Sequence, residues 1–497
     1  MSSKIVKYIS HLSIGILILG AILRLKVYLD NRDFFLDEIN LCRNIATKDL
    51  LELFQPLDFG QHAPPVFLTF TKWISQIGGI NEYSFRFLPL LAGLASLVLF
   101  YKLCKHFISG IAILFPIILF SFSIYLVEFA STAKQYSFDV FICLALMYFA
   151  IQVKKDRRQM LAFSIVAAIC VWLSMPSIFV LAATGIYFLF KKDNQDLSSS
   201  WQINKNIILY GCCALGSFIL YYFLILNNSL GSDNLADFHQ QYFLPIPDSK
   251  EDALLFFENI ISLFRSIVGK TAVPIIIAVL LFALGIFKQT KRNLGALILL
   301  IGPVVFCLAA SMMSLYSLLV RLTLFLLPLL MIMMGIGLAF SIEKIKTLPS
   351  KIAYPGYFIL SVLIVLCIPQ RNGLHFFAKP FIKEQSKASL RFIAESSYNK
   401  NHIYILHSAE PAYTFYTSIH DHKIPIPSQD LFFADWDSDF RRKAKEWKSQ
   451  GHDLVWIFDC HTFGEGRNRI IREISQSGKV MEEYVDVNGY AKLVQLK

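Results

Sequence analysis

The stretch that decides the fold is residues 86–127, which read RFLPLLAGLASLVLFYKLCKHFISGIAILFPIILFSFSIYLV. It contains two continuous apolar runs, 86–103 and 108–127, joined by a short segment that carries Lys105 and His106. Each run is close to the roughly 20 residues that a helix needs to cross the hydrocarbon core of a bilayer. Polar and apolar residues do not alternate here, so the runs predict transmembrane helices and disfavour the strands of a membrane barrel.

The whole chain shares this character. Of its 497 residues, 55% are hydrophobic and 17% are charged, and the mean hydropathy is +0.52. A soluble globular protein is nearer about 45–50% apolar and about 25% charged. The composition therefore excludes a disordered tail, a coiled coil and an ordinary cytosolic enzyme. Eleven apolar runs are found, at 9–29, 86–103, 108–127, 137–153, 160–174, 177–190, 206–226, 271–287, 294–313, 317–340 and 352–369.

The loop charges predict how these runs are oriented. If the N-terminus is cytoplasmic, the inner loops carry 17 basic and four acidic residues, and the other side of residues 1–369 carries 12 basic and 16 acidic residues. Basic loops stay on the cytoplasmic side of a membrane. We therefore expect a multi-pass inner-membrane protein whose basic residues face membrane lipids. This explains most of the net charge of +11 without a nucleic-acid partner.

The chain changes character after residue 369. Residues 370–497 contain 18 basic and 16 acidic residues and no spanning run. Segments with helical and strand periodicity alternate along them. Helices are predicted at Ser386–Lys400, Asp435–Gln450 and Gly466–Ser477, strands at His402–Ser408 and Asp453–Cys460, and one or two strands within Val480–Leu496.

The predicted fold is thus mainly α, a polytopic membrane helical bundle of about 11 spans with a small C-terminal α/β domain. An odd number of spans places that domain outside the cytoplasm. We expect a membrane domain at 1–369, with long outer loops at 30–85 and 227–270, and a soluble domain at 370–497. Amphipathic stretches in the two loops, such as Ile39–Phe54 and Leu254–Val268, fit the membrane interface.

Asp37 and Glu38 are the first candidate catalytic residues. They lie a few residues beyond the first run, on the predicted outer side. Two adjacent carboxylates near a bilayer are costly to bury and suit a catalytic base. The alternative is that they are ordinary acids at a helix N-terminus, where the helix dipole favours negative charge.

Further polar residues on the same side are candidates for substrate binding. A histidine before two prolines could hydrogen-bond a phosphate or a sugar, or simply be solvated. An acid inside an apolar run is a functional hypothesis, although a nearby lysine could make a structural ion pair with it. Arginines at helix ends bind lipid phosphates or extend to headgroups. These candidates are His62, Arg86, Glu128, Lys134, Tyr136, Asp139 and Arg321. For Asp139 the expected partner is Lys134, and for Arg321 it is a lipid phosphate or Asp139.

Four stretches, in this order, are similar to the membrane C-type (GT-C) glycosyltransferases. They are LDEINLCRNI from Leu36, QHAPPVFLTFTKW from Gln61, EYSFRFLPLLAGLASLVLFYKL from Glu82 and FASTAKQYSFDVF from Phe129. Within that class the chain resembles the dolichyl-phosphate-mannose protein mannosyltransferases and the bacterial aminoarabinose lipid A transferases. The resemblance covers about residues 9–190, and further along it rests on the span count, the outer domain and EPAYTFYTS from Glu410.

The resemblance implies a glycosyltransferase that takes a sugar from a polyprenyl-phosphate donor at the outer, periplasmic face of the membrane. It places the family's first-loop acid on Asp37, with Glu38 beside it. The implied chemistry is an inverting displacement in which Asp37 is the base. The sugar stays open, and the acceptor is a glycan, a lipid or a protein, as in lipopolysaccharide or other glycan biosynthesis.

One departure from that family is visible. Aminoarabinose transferases have an acid-lysine pair just before the two prolines, where this chain has His62 and Ala63. The lysine's contact with phosphate is therefore absent, which argues against the aminoarabinose substrate. Arg86, Lys134 or Arg321 would have to supply the positive charge.

Two other functions fit a chain of this kind. A polytopic transporter also has many spans, but no runs here are interrupted at matching positions in two halves. A polysaccharide polymerase or ligase is the rival within enzymes. No cofactor is required by these arguments and no metal motif is present, although Asp37, Glu38 and Glu128 could offer oxygen ligands to a divalent metal.

Overall fold

The computed structural model describes residues 3–154, 156–191, 200–227, 239–369, 371–427 and 430–497. Of the outer segment predicted at 227–270, residues 228–238 lie outside this description.

Fifteen helices of the described residues precede the C-terminal sheet region. Six of them are long and apolar enough, by length and composition, to cross a membrane, and shorter apolar helices lie between these. The fifteen are α1 Ser3–Leu29, α2 Leu36–Thr47, α3 Pro65–Gly78, α4 Glu82–Phe107, α5 Leu114–Phe122, α6 Ile124–Phe129, α7 Tyr136–Gln152, α8 Arg157–Leu173, α9 Ser177–Phe190, α10 Ser200–Tyr221, α11 Lys250–Val268, α12 Ala272–Arg292, α13 Leu294–Met312, α14 Leu327–Lys346 and α15 Ser350–Leu366.

Each of the eleven predicted apolar runs corresponds to a helix in this set, and α2, α3, α6 and α11 are additional. A small sheet follows near the C-terminus. The predicted fold class, a mainly helical multi-pass membrane protein with a small C-terminal sheet, is confirmed.

The third predicted run, 108–127, is broken in the structure. Its helix ends at Phe122, and Ser123 adopts an extended ψ of 124° and caps the short helix α6. Helix ends leave carbonyls without partners. The buried guanidinium of Arg24 in α1 donates to the carbonyls of Phe120 (3.2 Å) and Ser121 (3.0 Å), which stabilises the break.

Two glycines set the close crossing of α12 and α14. A Cβ at Gly285 would lie 2.2 Å from the carbonyl oxygen of Met333, and one at Gly337 would lie 1.8 Å from that of Leu281. Small residues allow such backbone contact between membrane helices. This crossing seats α14, whose side chains are largely buried, at the centre of the bundle.

The tenth run was predicted to begin at 317, but its helix begins with a 3-10 turn at Leu324–Leu326 that leads into α14. Pro328 lies in the first turn of α14 and fixes this start. Proline has no backbone N–H, and only in the first turn of a helix does the N–H have no helical partner to bond. The preceding residues are irregular and make turns that carry Arg321. This irregular segment matters for the candidate site.

The C-terminal part forms a five-stranded sheet in the order β2-β1-β3-β5-β4. The first three strands are parallel, β5 pairs antiparallel to β3, and β4 pairs antiparallel to β5. The strands are β1 His402–Ile405, β2 Leu431–Phe433, β3 Leu454–Cys460, β4 Gly478–Asp486 and β5 Gly489–Leu496, and the helices are α16 His375–Ala378, α17 Ser386–Glu395, α18 Glu410–Thr414, α19 Phe440–Ser449 and α20 Gly464–Ser477.

The strands and helices predicted for this region are present; most are shorter than predicted, whereas the helix predicted at Gly466–Ser477 begins at Gly464 and the first strand predicted from Val480 begins at Gly478. The segment Val480–Leu496 forms two strands, because Asn488 in the left-handed region (φ 53°) makes the turn between them. The edge strand β2 was not predicted. It has only three residues, too few to show an alternating pattern.

Candidate active site at helix α2

Helix α2 positions the two adjacent carboxylates. Phe35 precedes its first turn in an extended conformation, and the Glu38 side chain accepts a hydrogen bond from the Phe35 N–H at 3.2 Å. Successive residues of an α-helix are rotated by about 100°. Asp37 and Glu38 therefore leave the helix in different directions, and the structure gives them different surroundings.

Glu38 is buried between two arginines. Its carboxylate lies 2.5 Å from Nη1 of Arg32 and 3.0 Å from Nε of Arg86, and it accepts the Ala133 N–H at 2.8 Å. Burial alone would raise the pKa of this carboxyl, but attraction to Arg32 and Arg86 outweighs burial and holds the pKa well below its usual range. Glu38 is thus a charged anchor between the loop after α1, α4 and the segment before α7.

This arrangement corrects two predictions. Glu38 was expected beside Asp37 in the chemistry, but its oxygens are occupied. Arg86 was expected to bind or approach a lipid phosphate, yet it is buried and also donates to the carbonyls of Arg32 (2.6 Å) and Asp33 (3.2 Å). Because Arg86 donates to these groups within the protein, it stabilises the structure and is not positioned to bind a lipid phosphate.

Asp37 points the other way and is partly exposed. Its Oδ2 accepts from Nη1 of Arg321 at 2.6 Å, with 38% of the aspartate side chain and 30% of the arginine side chain accessible. Of the two partners predicted for Arg321, the structure shows Asp37 in place of Asp139, and the lipid phosphate stays a prediction. The irregular segment before α14 delivers Arg321 to Asp37 across 284 residues of chain.

Lys134 belongs to the same group. Its Nζ donates to Oε1 of Gln61, and its charge acts on both Asp37 and Arg321. Burial lowers the pKa of Lys134 to about 8, against the attraction of Asp37. The predicted ion pair between Lys134 and Asp139 is wrong, because Asp139 lies buried in the first turn of α7, facing Ser174.

His62 lies next to Lys134 and is held in place through its backbone, whose carbonyl accepts from Nε2 of Gln135 at 3.4 Å. Burial, together with the positive charge of Lys134, lowers the pKa of His62 to about 4. The imidazole is therefore neutral near pH 7. Its buried Nε2 has no hydrogen-bond partner among the described residues.

The two remaining candidates take different positions. Tyr136 is buried at the start of α7, with its ring 5.2 Å from that of Phe129, and it lies within electrostatic range of Asp37 and Arg321. Glu128 instead forms an ion pair with Lys383, a residue of the C-terminal part. The structure therefore brings Tyr136 to the Asp37 group and directs Glu128 to another contact.

Sequence reasoning missed a second polar cluster that joins the segment between α1 and α4 to the C-terminal part. Lys387 lies 3.2 Å from Asp33 and 2.9 Å from Glu82, and Glu82 also lies 3.1 Å from Nε2 of His420. Burial raises the pKa of Asp33, while Lys387 opposes that rise. Because these partners are more than 300 residues apart, no local pattern could reveal them.

The carboxylates suggested as metal ligands do not converge. Asp37, Glu38 and Glu128 are each paired with different cations. Within the described residues there is no group of three or more His, Cys, Asp or Glu side chains that could hold a metal ion.

The group around Asp37 has a clear charge balance. Among the described residues it contains one carboxylate, on Asp37, and two cations, on Arg321 and Lys134, beside the neutral ring of His62. Two cations beside a carboxylate in a partly buried place favour an added anion. A carboxylate next to such an anion site can accept a proton from a hydroxyl group.

The fold and the site together define a class of protein. It is a mainly helical multi-pass membrane protein with a carboxylate and two cations beside the helical bundle. Residues 62–223 match the family model described as dolichyl-phosphate-mannose-protein mannosyltransferase. This match confirms the resemblance predicted from the sequence over that segment. No curated protein matches the chain by sequence.

Solved structures with a similar overall arrangement were also found. The archaeal oligosaccharyltransferase AglB from Archaeoglobus fulgidus, in complex with an inhibitory peptide and a dolichol-phosphate, is 10% identical, with a TM-score of 0.49 over 97% of this chain and 74% of AglB. ArnT from Cupriavidus metallidurans, bound to undecaprenyl phosphate, is 10% identical, with a TM-score of 0.47 over 96% of this chain and 97% of ArnT.

Proposed function

We propose that this protein transfers a sugar from a polyprenyl-phosphate donor to an acceptor at the outer face of the membrane. The observation that carries the proposal is the Asp37 group, in which a partly exposed carboxylate pairs with Arg321 and lies within electrostatic range of Lys134. The family match over residues 62–223 supports the same class of reaction. The sugar and the acceptor are left open by both observations.

In the proposed reaction, Asp37 removes the proton from an acceptor hydroxyl. The hydroxyl oxygen forms a bond to the anomeric carbon as the bond from that carbon to the phosphate oxygen breaks, with inversion. The polyprenyl phosphate leaves with the electron pair. Arg321 and Lys134 stabilise its charge in a partly desolvated place, where such interactions are strongest.

The ion pair between Arg321 and Asp37 then acquires a role. Without donor, Arg321 neutralises Asp37 at 2.6 Å. An incoming phosphate competes for the same guanidinium, because arginine binds phosphate through its fork of donors. Donor binding thus frees the carboxylate to act as a base when the leaving group is in place.

We infer an outer, periplasmic location for this site from charge. Helices α4, α12 and α14 end in basic last turns, whereas α4 begins beside α2 at Arg86. Cytoplasmic ends of membrane helices collect lysine and arginine. By this argument α2 and the sheet region lie outside an inner membrane, and the chain divides into a membrane domain at 1–369 and an outer domain at 370–497.

The function is tested with purified protein in detergent and radiolabelled polyprenyl-phosphate sugars. Release of polyprenyl phosphate, with label moving to a membrane glycan, lipid or protein fraction, supports the proposal. Asp37→Asn should abolish release. Asp30→Asn is the matched control, because Asp30 lies in the same outer loop but pairs with Lys26. Label entering sealed liposomes on intact donor would instead identify a transporter.

The location is tested by labelling. Lys400→Cys places a thiol on an exposed turn of the sheet region, while most native cysteines are buried. An impermeant maleimide should label this variant in intact spheroplasts, above the level of the parent chain. Labelling only after lysis would place the region in the cytoplasm and contradict the proposed topology.

A further inference from the structure

The proposed reaction does not use one side of the C-terminal sheet, the edge at which its three parallel strands end. Strands β2, β1 and β3 are parallel, so their carboxyl ends meet at one edge. In open α/β sheets, ligands bind outside the carboxyl ends of the strands. The residues that follow these three strands are therefore the place to look for a binding site.

Aromatic side chains are exposed at this edge. Trp436, after β2, is 74% exposed, and its ring lies 4.6 Å from that of His407, which follows β1. Phe463, after β3, is 52% exposed and lies 5.0 Å from the His461 ring. Single exposed aromatics are ordinary on a protein surface, but several at the ligand edge of one sheet are not.

Hydroxyl groups lie among these rings. The Oγ of Ser408 is 2.7 Å from Oγ1 of Thr462, which donates to Oδ1 of the buried Asp459 at 2.5 Å. A hydroxyl has one donor and two acceptor positions, so each of the two can still bond a ligand. Flat rings beside fixed hydroxyls suit a sugar, whose C–H face stacks on an aromatic ring while its hydroxyls form hydrogen bonds.

The same edge faces the helix that carries Asp37. The His461 ring packs edge-on against Phe35 at 4.5 Å, and Phe35 precedes α2. The guanidinium of Arg43 in α2 donates to both oxygens of Glu410, at 2.9 and 3.2 Å, just beyond β1. A ligand held at this edge therefore lies beside the outer loop of the candidate active site.

We propose that this surface, formed by His407, Ser408, Trp436, Thr462 and Phe463 and named here the aromatic edge, binds the saccharide part of the acceptor. The inference rests on the proposed function and narrows its acceptor to a sugar-bearing molecule. Stacking on Trp436 holds one sugar ring, and the hydroxyls of Ser408 and Thr462 fix its orientation.

Binding is tested first without any reaction. Full-length protein in nanodiscs is applied to a glycan array and compared with Trp436→Ala. The matched control is Tyr398→Ala, which removes a 41% exposed aromatic from the opposite edge, before β1. We expect the parent and the control to bind a common set of glycans, and Trp436→Ala to bind them about tenfold more weakly or not at all. Binding of no glycan by the parent, or equal binding by all three proteins, overturns the inference.

Turnover provides the second test. With labelled donor and a membrane acceptor fraction, Trp436→Ala should raise the half-saturating acceptor concentration about tenfold. Its half-saturating donor concentration should stay within about twofold of the parent value. A variant with unchanged acceptor dependence refutes the aromatic edge while the transferase proposal stands. A parent chain that binds glycans but never consumes donor refutes the transferase proposal instead.

Discussion

Glu38→Gln and Asp37→Asn are expected to have opposite consequences, although the residues are adjacent. Glutamine keeps the shape of Glu38 but removes the charge that faces Arg32 and Arg86, both almost fully buried. Removing one partner of a buried ion pair costs about 3–5 kcal/mol, because the remaining charge is left without compensation. Two arginines lose their partner here, while backbone carbonyls still accept from both.

We therefore expect Glu38→Gln to destabilise the protein by about 4 kcal/mol, a large share of the roughly 5–15 kcal/mol that stabilises a typical protein. Asp37 and Arg321 are both partly exposed, so Asp37→Asn should cost only about 0–1 kcal/mol. Size-exclusion profiles after graded heating in detergent measure stability, and donor release measures activity.

Glu38→Gln should lower the temperature of aggregation strongly, whereas Asp37→Asn should leave it nearly unchanged and lose donor release. Equal thermal profiles for the two variants would refute the assignment of Glu38 as an anchor. Full activity in Asp37→Asn would remove Asp37 from the proposed chemistry.

Three further predictions concern the surrounding residues. Arg321→Ala should raise the half-saturating donor concentration about tenfold or more; unchanged donor dependence would make that arginine structural. Lys387→Met leaves Asp33 and Glu82 without their shared cation, so protease should cleave the C-terminal part sooner than in Lys448→Met, whose ion pair is exposed. The pKa of His62 is lowered to about 4 from its ordinary 6.5, so the His62 imidazole binds a proton more tightly in the unfolded chain than in the folded protein. Stability should fall as pH drops from about 6.5 to 4, and His62→Asn should flatten that fall; a parallel fall in both proteins would contradict it.

The helical framework could be predicted from the sequence because it depends on continuous local properties. A run of apolar residues must satisfy its backbone hydrogen bonds within itself in lipid, so length and hydropathy suffice to locate a helix. One error occurred where a distant side chain decided the outcome. The run at 108–127 is broken because Arg24 supports the carbonyls of Phe120 and Ser121, a contact that spans about 96 residues.

The candidate site could be predicted only in part for the same reason. The sequence predicted Asp37, Lys134 and Arg321 as candidates because ionisable residues near apolar runs are few, and the structure brings these three into one group. Their pairing could not be read from spacing. Lys134 and Asp139 are five residues apart and do not pair, whereas Asp37 and Arg321 are 284 residues apart and do.

The contrast between the two carboxylates explains how one short helix can both be fixed and react. Glu38 is held by two buried cations, which fixes the first turn of α2 against α4. Asp37, rotated by about 100°, pairs with the partly exposed Arg321, which a phosphate can attract away. Asp37 is paired with Arg321 until the donor binds. It therefore does not deprotonate an acceptor before a donor is present for that acceptor to attack. On this reasoning, replacing Arg321 should weaken donor binding and leave the Asp37 carboxylate without its cation at all times, so hydrolysis of the donor by water should rise relative to transfer.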